Sequence, residues 1–232
     1  MRRKGLVVSG VIALAVLLSL SGCKSSPEKG LLNTYFHAVA LKDTMTMSTM
    51  ALEPVSFDFQ SWQIVSVGEE AITPFTLAEM NKAELEFKKK LEDHVGPVME
   101  AEDALYTAQE EEKLARTGGA RAAAKKKAAE AQVLFDQARE AHRELQRQYN
   151  EAKAAAAKEE QSALFSLGER QLLNIRELSG TVHAKEVEIK TIGRDGQPKN
   201  YRFHLKRYEL KDEANGVTRR GAWKIINFEP VA

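Results

Sequence analysis

The sequence predicts an α+β protein: a small antiparallel sheet with an N-terminal helix, interrupted by a long antiparallel α-helical hairpin of coiled-coil type. Three observations carry this. Leu32, Tyr35, Phe36 and Val39 fall at i, i+3, i+4 and i+7, one apolar helical stripe. The segment 76–167 is dominated by Ala, Glu, Lys, Gln and Arg and keeps a 3,4 spacing of apolar positions, the signature of long packed helices. From Thr181 to Phe228, β-type segments surround Asp195-Gly196 and Asn215-Gly216, two hairpin-turn dipeptides. With 232 residues the chain is long enough for one or two domains with a core.

The elements follow in chain order. Met1 to Gly5 is basic, and Leu6 to Leu20 is apolar apart from Ser9, Gly10 and Ser19. That run is shorter than the roughly 20 apolar residues of a membrane span and has the size of a signal-peptide core. It ends in Leu20-Ser21-Gly22-Cys23, which resembles the bacterial lipobox. The resemblance implies diacylglyceryl attachment to the Cys23 sulfur, cleavage after Gly22 and acylation of the new amino terminus. The other reading is an ordinary signal peptide or uncleaved anchor with an incidental cysteine. Cys23 is the single cysteine, so an internal disulfide and a cysteine-based metal site are both excluded. One acyl chain holds a protein only marginally and two or more hold it stably, at about 0.8 kcal/mol per buried methylene. We therefore expect 1–22 to be a signal peptide and 23–29 a lipidated tether. Lys24 stands where an aspartate marks inner-membrane retention in enteric-type sorting, which leans the expected location to the outer membrane, facing the periplasm.

The chain carries a net charge of +1, and without Arg2, Arg3 and Lys4 its 31 basic residues face 33 acidic ones. That near-neutral balance gives no electrostatic case for nucleic acid. Ser26 is placed to cap a helix, with Pro27 in its first position and Glu28 at the positive end of its dipole. That helix is expected from Pro27 to about Lys42. Met47, Met50 and Ala51 point to a second, short helix closed by Pro54. The methionines at 45, 47 and 50 are read as core filler rather than as soft metal ligands. From Ser56 to Val67 the pattern becomes β, with Phe57 and Phe59 alternating and then Trp62, Ile64 and Ser66.

In 76–167, Leu77, Met80, Glu84, Phe87, Leu91, His94, Val98, Ala101, Leu105, Ala108 and Ala115 keep the 3,4 spacing, with Glu112 a further polar member. Ala124, Ala128, Ala131, Phe135, Ala138, His142, Leu145, Tyr149, Ala152 and Ala156 do the same. Thr117-Gly118-Gly119-Ala120 lies between them, and its paired glycines are expected to give a reversal near Gly118-Gly119. A helix over 121–164 is about 66 Å long at 1.5 Å per residue. Gly96-Pro97 is expected to kink or break the first helix. His94 and His142 lie on the seam, either paired across it or as partly exposed seam positions. Lys125-Lys126-Lys127 reads as a solvated face, with contact to acidic lipid or peptidoglycan groups as the other reading.

After Gly168 three strands are expected: Thr181 to Ile192, Tyr201 to Leu210 and Thr218 to Phe228. A piece around Leu172 to Leu178 reads as a further strand or a helix end. The head then comprises 30–75 and 168–232. Its first helix with Tyr35-Phe36, the closing Lys42-Asp43, and a sheet ending in Gly221-Ala222-Trp223-Lys224-Ile225-Ile226-Asn227-Phe228 resemble the nuclear transport factor 2-like (cystatin-like) α+β cone. That resemblance covers about half the chain in two pieces, and the hairpin departs from the family pattern.

The family includes isomerases and dehydratases that work inside the cone, and many members that only bind or scaffold, so the fold does not decide function. His37, Asp58, His183 and His204 are the nameable candidate groups. His183 and His204 alternate opposite the assigned apolar faces. The sequence has no nucleophile elbow, phosphate loop, HExxH or clustered carboxylate pair, and we expect no catalytic residue, no metal site and no cofactor. The expected function is a lipid-anchored envelope scaffold or adaptor. Cys23 is its lipidation site, and Arg116, Ala120 and Arg121 at the hairpin tip contact another envelope protein. Homodimerisation stays open. The alternative is a cone that binds a small apolar ligand between Tyr35, Phe36, Phe203 and Trp223, against core packing by the same rings.

Overall fold

The computed structural model describes residues 26–231. The expected signal peptide and residues 23–25 of the tether, Cys23 among them, lie outside the described residues. Helix and antiparallel sheet are mixed, and the sheet curls into a half-barrel. Helix α1 spans Pro27–Leu41 and α2 spans Thr44–Met50. Strands β1 (Ser61–Val67) and β2 (Ala71–Pro74) follow. Three helices come next: α3 (Leu77–Asp93), α4 (Val95–Leu114) and α5 (Gly118–Leu167). After a 3-10 turn at Ile175–Glu177 the chain closes with β3 (Ser179–Ile192), β4 (Pro198–Asp212), β5 (Val217–Arg220) and β6 (Lys224–Val231).

Local chemistry accounts for the helix ends. Ser26 does stand at the N-cap of α1, but its side chain makes no capping bond; its carbonyl accepts from Lys29 and Gly30 instead. Lys42 takes the left-handed conformation (φ 56°) and stops α1. Asp43 then starts α2, its carboxylate accepting from the Thr46 backbone N–H at 3.0 Å. Proline acts as expected between α3 and α4. The break falls at His94, one residue after α3, because Pro97 has no N–H to offer the Asp93 carbonyl.

The long β3–β4 hairpin organises the head. It pairs continuously from Ser179↔Lys211 to Ile192↔Pro198 around the Asp195-Gly196 turn. One edge of β3 carries β1 and β2, and the far edge of β4 carries β6 and β5. Strand β2 went unread in the sequence. The expected strand from Thr218 to Phe228 is two strands, parted at Gly221–Trp223, where α5 intrudes as described below.

Two cores lie on opposite faces of this ribbon. Val187, Ile189, Phe203 and Leu205 point one way, against Leu32, Phe36 and Val39 of α1 and Met47 and Met50 of α2. Val182, Tyr208 and Leu210 point the other way, against Leu77 of α3 and Ala156 and Ala163 of α5. Strands of 14 and 15 residues twist far enough for opposite faces to be covered at opposite ends. Met47 and Met50 fill the first core as expected, but Met45 does not, being 81% exposed.

Candidate functional site

The three long helices are the most distinctive part of the chain. At 50 residues, α5 is about 75 Å long. It packs against both α3 and α4. The residues on the 3,4 spacing, from Leu77 to Ala115 and from Ala124 to Ala156, are all buried or half-buried, while most of their neighbours are exposed. Three pairings mark the contact. Near the head, Arg176 donates to Glu84 of α3 at 2.9 Å and to Glu160 of α5 at 2.7 Å. Midway, the His94 and His142 rings meet at 5.9 Å between centroids, each with its Nδ1 buried and without a protein partner. Farthest out, Lys127 reaches Glu111 at 2.7 Å.

The far end differs from expectation in one respect. Gly118 and Gly119 belong to α5, which begins three residues before the expected 121, and Ala115–Thr117 link it to α4. Thr117 explains this: its hydroxyl accepts from the Ala120 N–H at 3.2 Å, which caps the helix there. Arg121 turns back to the Ala115 carbonyl at 3.3 Å, so it also caps α4. Arg116 and Ala120 are exposed, as is Leu114 at 76%.

Sequence reasoning missed how α5 enters the head. Ser166 is buried, and its hydroxyl donates to the Ala222 carbonyl at 2.8 Å while accepting from the Tyr208 N–H at 3.2 Å. The Ala222 N–H returns a bond to the Ser166 carbonyl at 2.8 Å. A Cβ on Gly221 would lie 2.2 Å from the Ser166 hydroxyl and 2.8 Å from its carbonyl oxygen, so only glycine admits the helix here. This insertion parts β5 from β6. Nearby, Glu159 accepts from the Tyr208 hydroxyl at 2.9 Å and from Lys206 at 3.0 Å. Burial, with the Glu159 charge beside it, pushes the Tyr208 phenol far above its ordinary range. Ser166→Ala strands the Tyr208 N–H inside the protein. We expect a loss of about 2 kcal/mol in urea denaturation, from an unpaired buried donor; an unchanged midpoint would show that the clamp carries no load.

The head residues take varied positions. Tyr35, Phe36 and Phe203 are fully buried and pack on one another, Phe36 against Phe203 at 5.7 Å and Tyr35 against Phe203 at 6.2 Å. Trp223 lies at the core edge beneath two cations, Lys185 and Arg207, each 5.3 Å from its ring. Clefts of about 380 and 350 Å³ are lined by other residues. His37 is exposed. His204 lies on the charged outer face between Glu186 and Glu229, as its alternation implied. His183 corrects that same expectation. It shares the face of Val187 and Phe203, is 9% exposed, and bonds to Glu70 at 2.5 Å. Glu70 joins a network with Lys185 at 3.3 Å and Arg207 at 3.5 Å, and Lys185 also donates to the buried Glu28 of α1.

No helix among the described residues is long and apolar enough to cross a membrane. Among the same residues no group of three or more His, Cys, Asp or Glu is placed to hold a metal ion. The chain matches no family model, no curated protein and no solved structure.

Proposed function

We propose that this chain is a lipid-anchored scaffold of the bacterial envelope, held by acyl chains on Cys23 and reaching a partner protein with an antiparallel helical hairpin formed by α3, α4 and α5. One observation carries the reading. The Glu84–Arg176–Glu160, His94–His142 and Glu111–Lys127 contacts run up one side in sequence and down the other, out to a small, exposed end. An arm of that length buries its own seam and little else, so its outer end is available for contact. The Ser166 clamp supports a firm joint between arm and head, which a scaffold needs to place its tip.

The tip and the anchor are tested separately. Arg116→Glu with Arg121→Glu changes exposed residues, so stability should stay within about 0.5–1 kcal/mol of wild type, allowing for the lost Arg121 cap. Partner capture in cross-linked cells should be lost. Unaltered capture would remove the tip from the account. For the anchor, labelled palmitate should enter the wild-type chain and fail to enter Cys23→Ser; equal labelling of both would place the lipid elsewhere.

A further inference from the structure

His183 stands between a hydroxyl and a carboxylate. Thr181 Oγ1 lies 3.3 Å from His183 Nε2, and Glu70 Oε1 lies 2.5 Å from Nδ1. Local geometry explains the grouping. Thr181 and His183 are two apart on β3, so the pleat sends both side chains to one face. Ile72 of β2 pairs with His183, and Glu70, two residues earlier, brings its carboxylate back to that face.

The carboxylate decides the tautomer. An oxygen that close requires a hydrogen on Nδ1, an assignment made from the neighbouring group. The neutral ring then offers Nε2 as an acceptor toward the Thr181 hydroxyl. Arg207 lies 3.1 Å from Nδ1 but cannot donate to a nitrogen that already carries hydrogen; its charge serves Glu70 at 3.5 Å. The hydrogen bond from His183, together with the Lys185 ammonium and against the opposing effect of burial, holds the Glu70 carboxyl below its usual range. Glu70 is thus an anion that orients the imidazole. Thr181 and His183 both line an open cleft of about 520 Å³, with Lys211 and Glu209 on its walls.

We propose that Thr181, His183 and Glu70 form a hydroxyl–imidazole–carboxylate relay, and that the Thr181 hydroxyl attacks small acyl esters admitted to this cleft. Thr181 Oγ1 forms a bond to the ester carbonyl carbon while its proton passes to His183 Nε2. The C–O bond to the leaving alkoxide breaks, and the Nε2 proton goes to that alkoxide, releasing an alcohol. Water then adds to the acyl-threonine, giving its proton to Nε2. The acyl–Oγ1 bond breaks, the carboxylic acid leaves, and the proton returns to Thr181. Lys211 is the cation in the cleft available to the developing oxyanion. The 3.3 Å contact is long for a working relay and is of the kind that tightens when substrate excludes water. The proposal depends on neither the anchor nor the arm.

The test uses the detergent-solubilised chain with p-nitrophenyl acetate. Nitrophenolate release is followed while mass spectrometry maps any acetyl group. Wild type should carry an acetyl group on the peptide containing Thr181. Thr181→Val should abolish it and slow turnover by about 100-fold or more, with Thr181→Ser retaining activity. Glu70→Gln should slow turnover by a similar or larger factor with the melting curve still cooperative, because the imidazole loses its orienting anion. Equal rates from wild type and Thr181→Val, or acetyl groups on lysines alone, would overturn the proposal. The wild-type map decides the matter even where a variant folds poorly.

Discussion

Gly180→Ala should destabilise the protein by about 3–5 kcal/mol, a large part of the 5–15 kcal/mol that holds a typical domain together. Gly180 has φ 146°, where an L side chain is strained. An added Cβ would also stand 2.2 Å from the Glu209 carbonyl oxygen and 2.9 Å from the Leu210 Cα, both backbone atoms of the paired strand. Neither can yield without breaking the β3–β4 ladder beside the second core, where Gly180 pairs with Leu210. Gly196 is the control. It has φ 77° in the hairpin turn but open space around it, so Gly196→Ala should cost only about 1–2 kcal/mol. Urea midpoints compare the two. Equal losses would mean that conformation alone matters and that the close strand approach is not tight.

The second large effect lies where α1 meets the sheet. Glu28 is 1% exposed and accepts from Lys185, which Glu70 also holds at 3.3 Å. Removing one partner of a buried pair leaves the other charge short of compensation. Glu28→Gln should cost about 3 kcal/mol, the low end for such a break because Lys185 keeps Glu70. The effect should depend on pH. Burial pushes the Glu28 carboxyl upward, but hydrogen bonds from Lys185, the backbone and Ser26, with the Lys185 charge, outweigh it and hold it below its ordinary value. Glu70 shifts the same way. A carboxyl lowered on folding stabilises the protein above its unfolded value, about 4.3 for Glu, and that contribution fades as pH falls through the folded value. Melting temperature should therefore fall in acid for wild type and fall less for Glu28→Gln. Parallel curves would remove Glu28 from the acid response.

The helical segment was the most legible part of the sequence because its information is local. A 3,4 repeat needs no knowledge of the rest of the chain, and the positions it picks out form the protected face of α3, α4 and α5. The exception is instructive: Glu84 sits on the repeat and is met there by Arg176, 92 residues away. Pro97 also acts through its own backbone. The start of α5 was placed too late because glycine's freedom was weighed above the capping power of Thr117, which stands one residue before Gly118.

Contacts between distant residues were not legible. Glu70 and His183 are 113 residues apart, and neither lies in a motif. Ser166 and Gly221 meet only once α5 has been threaded between β5 and β6. One clue was present and unused. On β4 the apolar positions are Tyr201, Phe203 and Leu205, then Tyr208 and Leu210, so the alternation changes face partway along. That change is the sequence mark of two cores on opposite faces of one ribbon.

The scaffold account is tested most directly by photo-crosslinking in the cells that make the protein, with probes at exposed Ala120 on the arm tip and exposed Lys199 on the head sheet. The account predicts a discrete crosslinked protein from Ala120 that is absent from Lys199. Crosslinks from Lys199 alone, or from Ala120 only back to this chain's own head, would contradict it and make the arm a packing element.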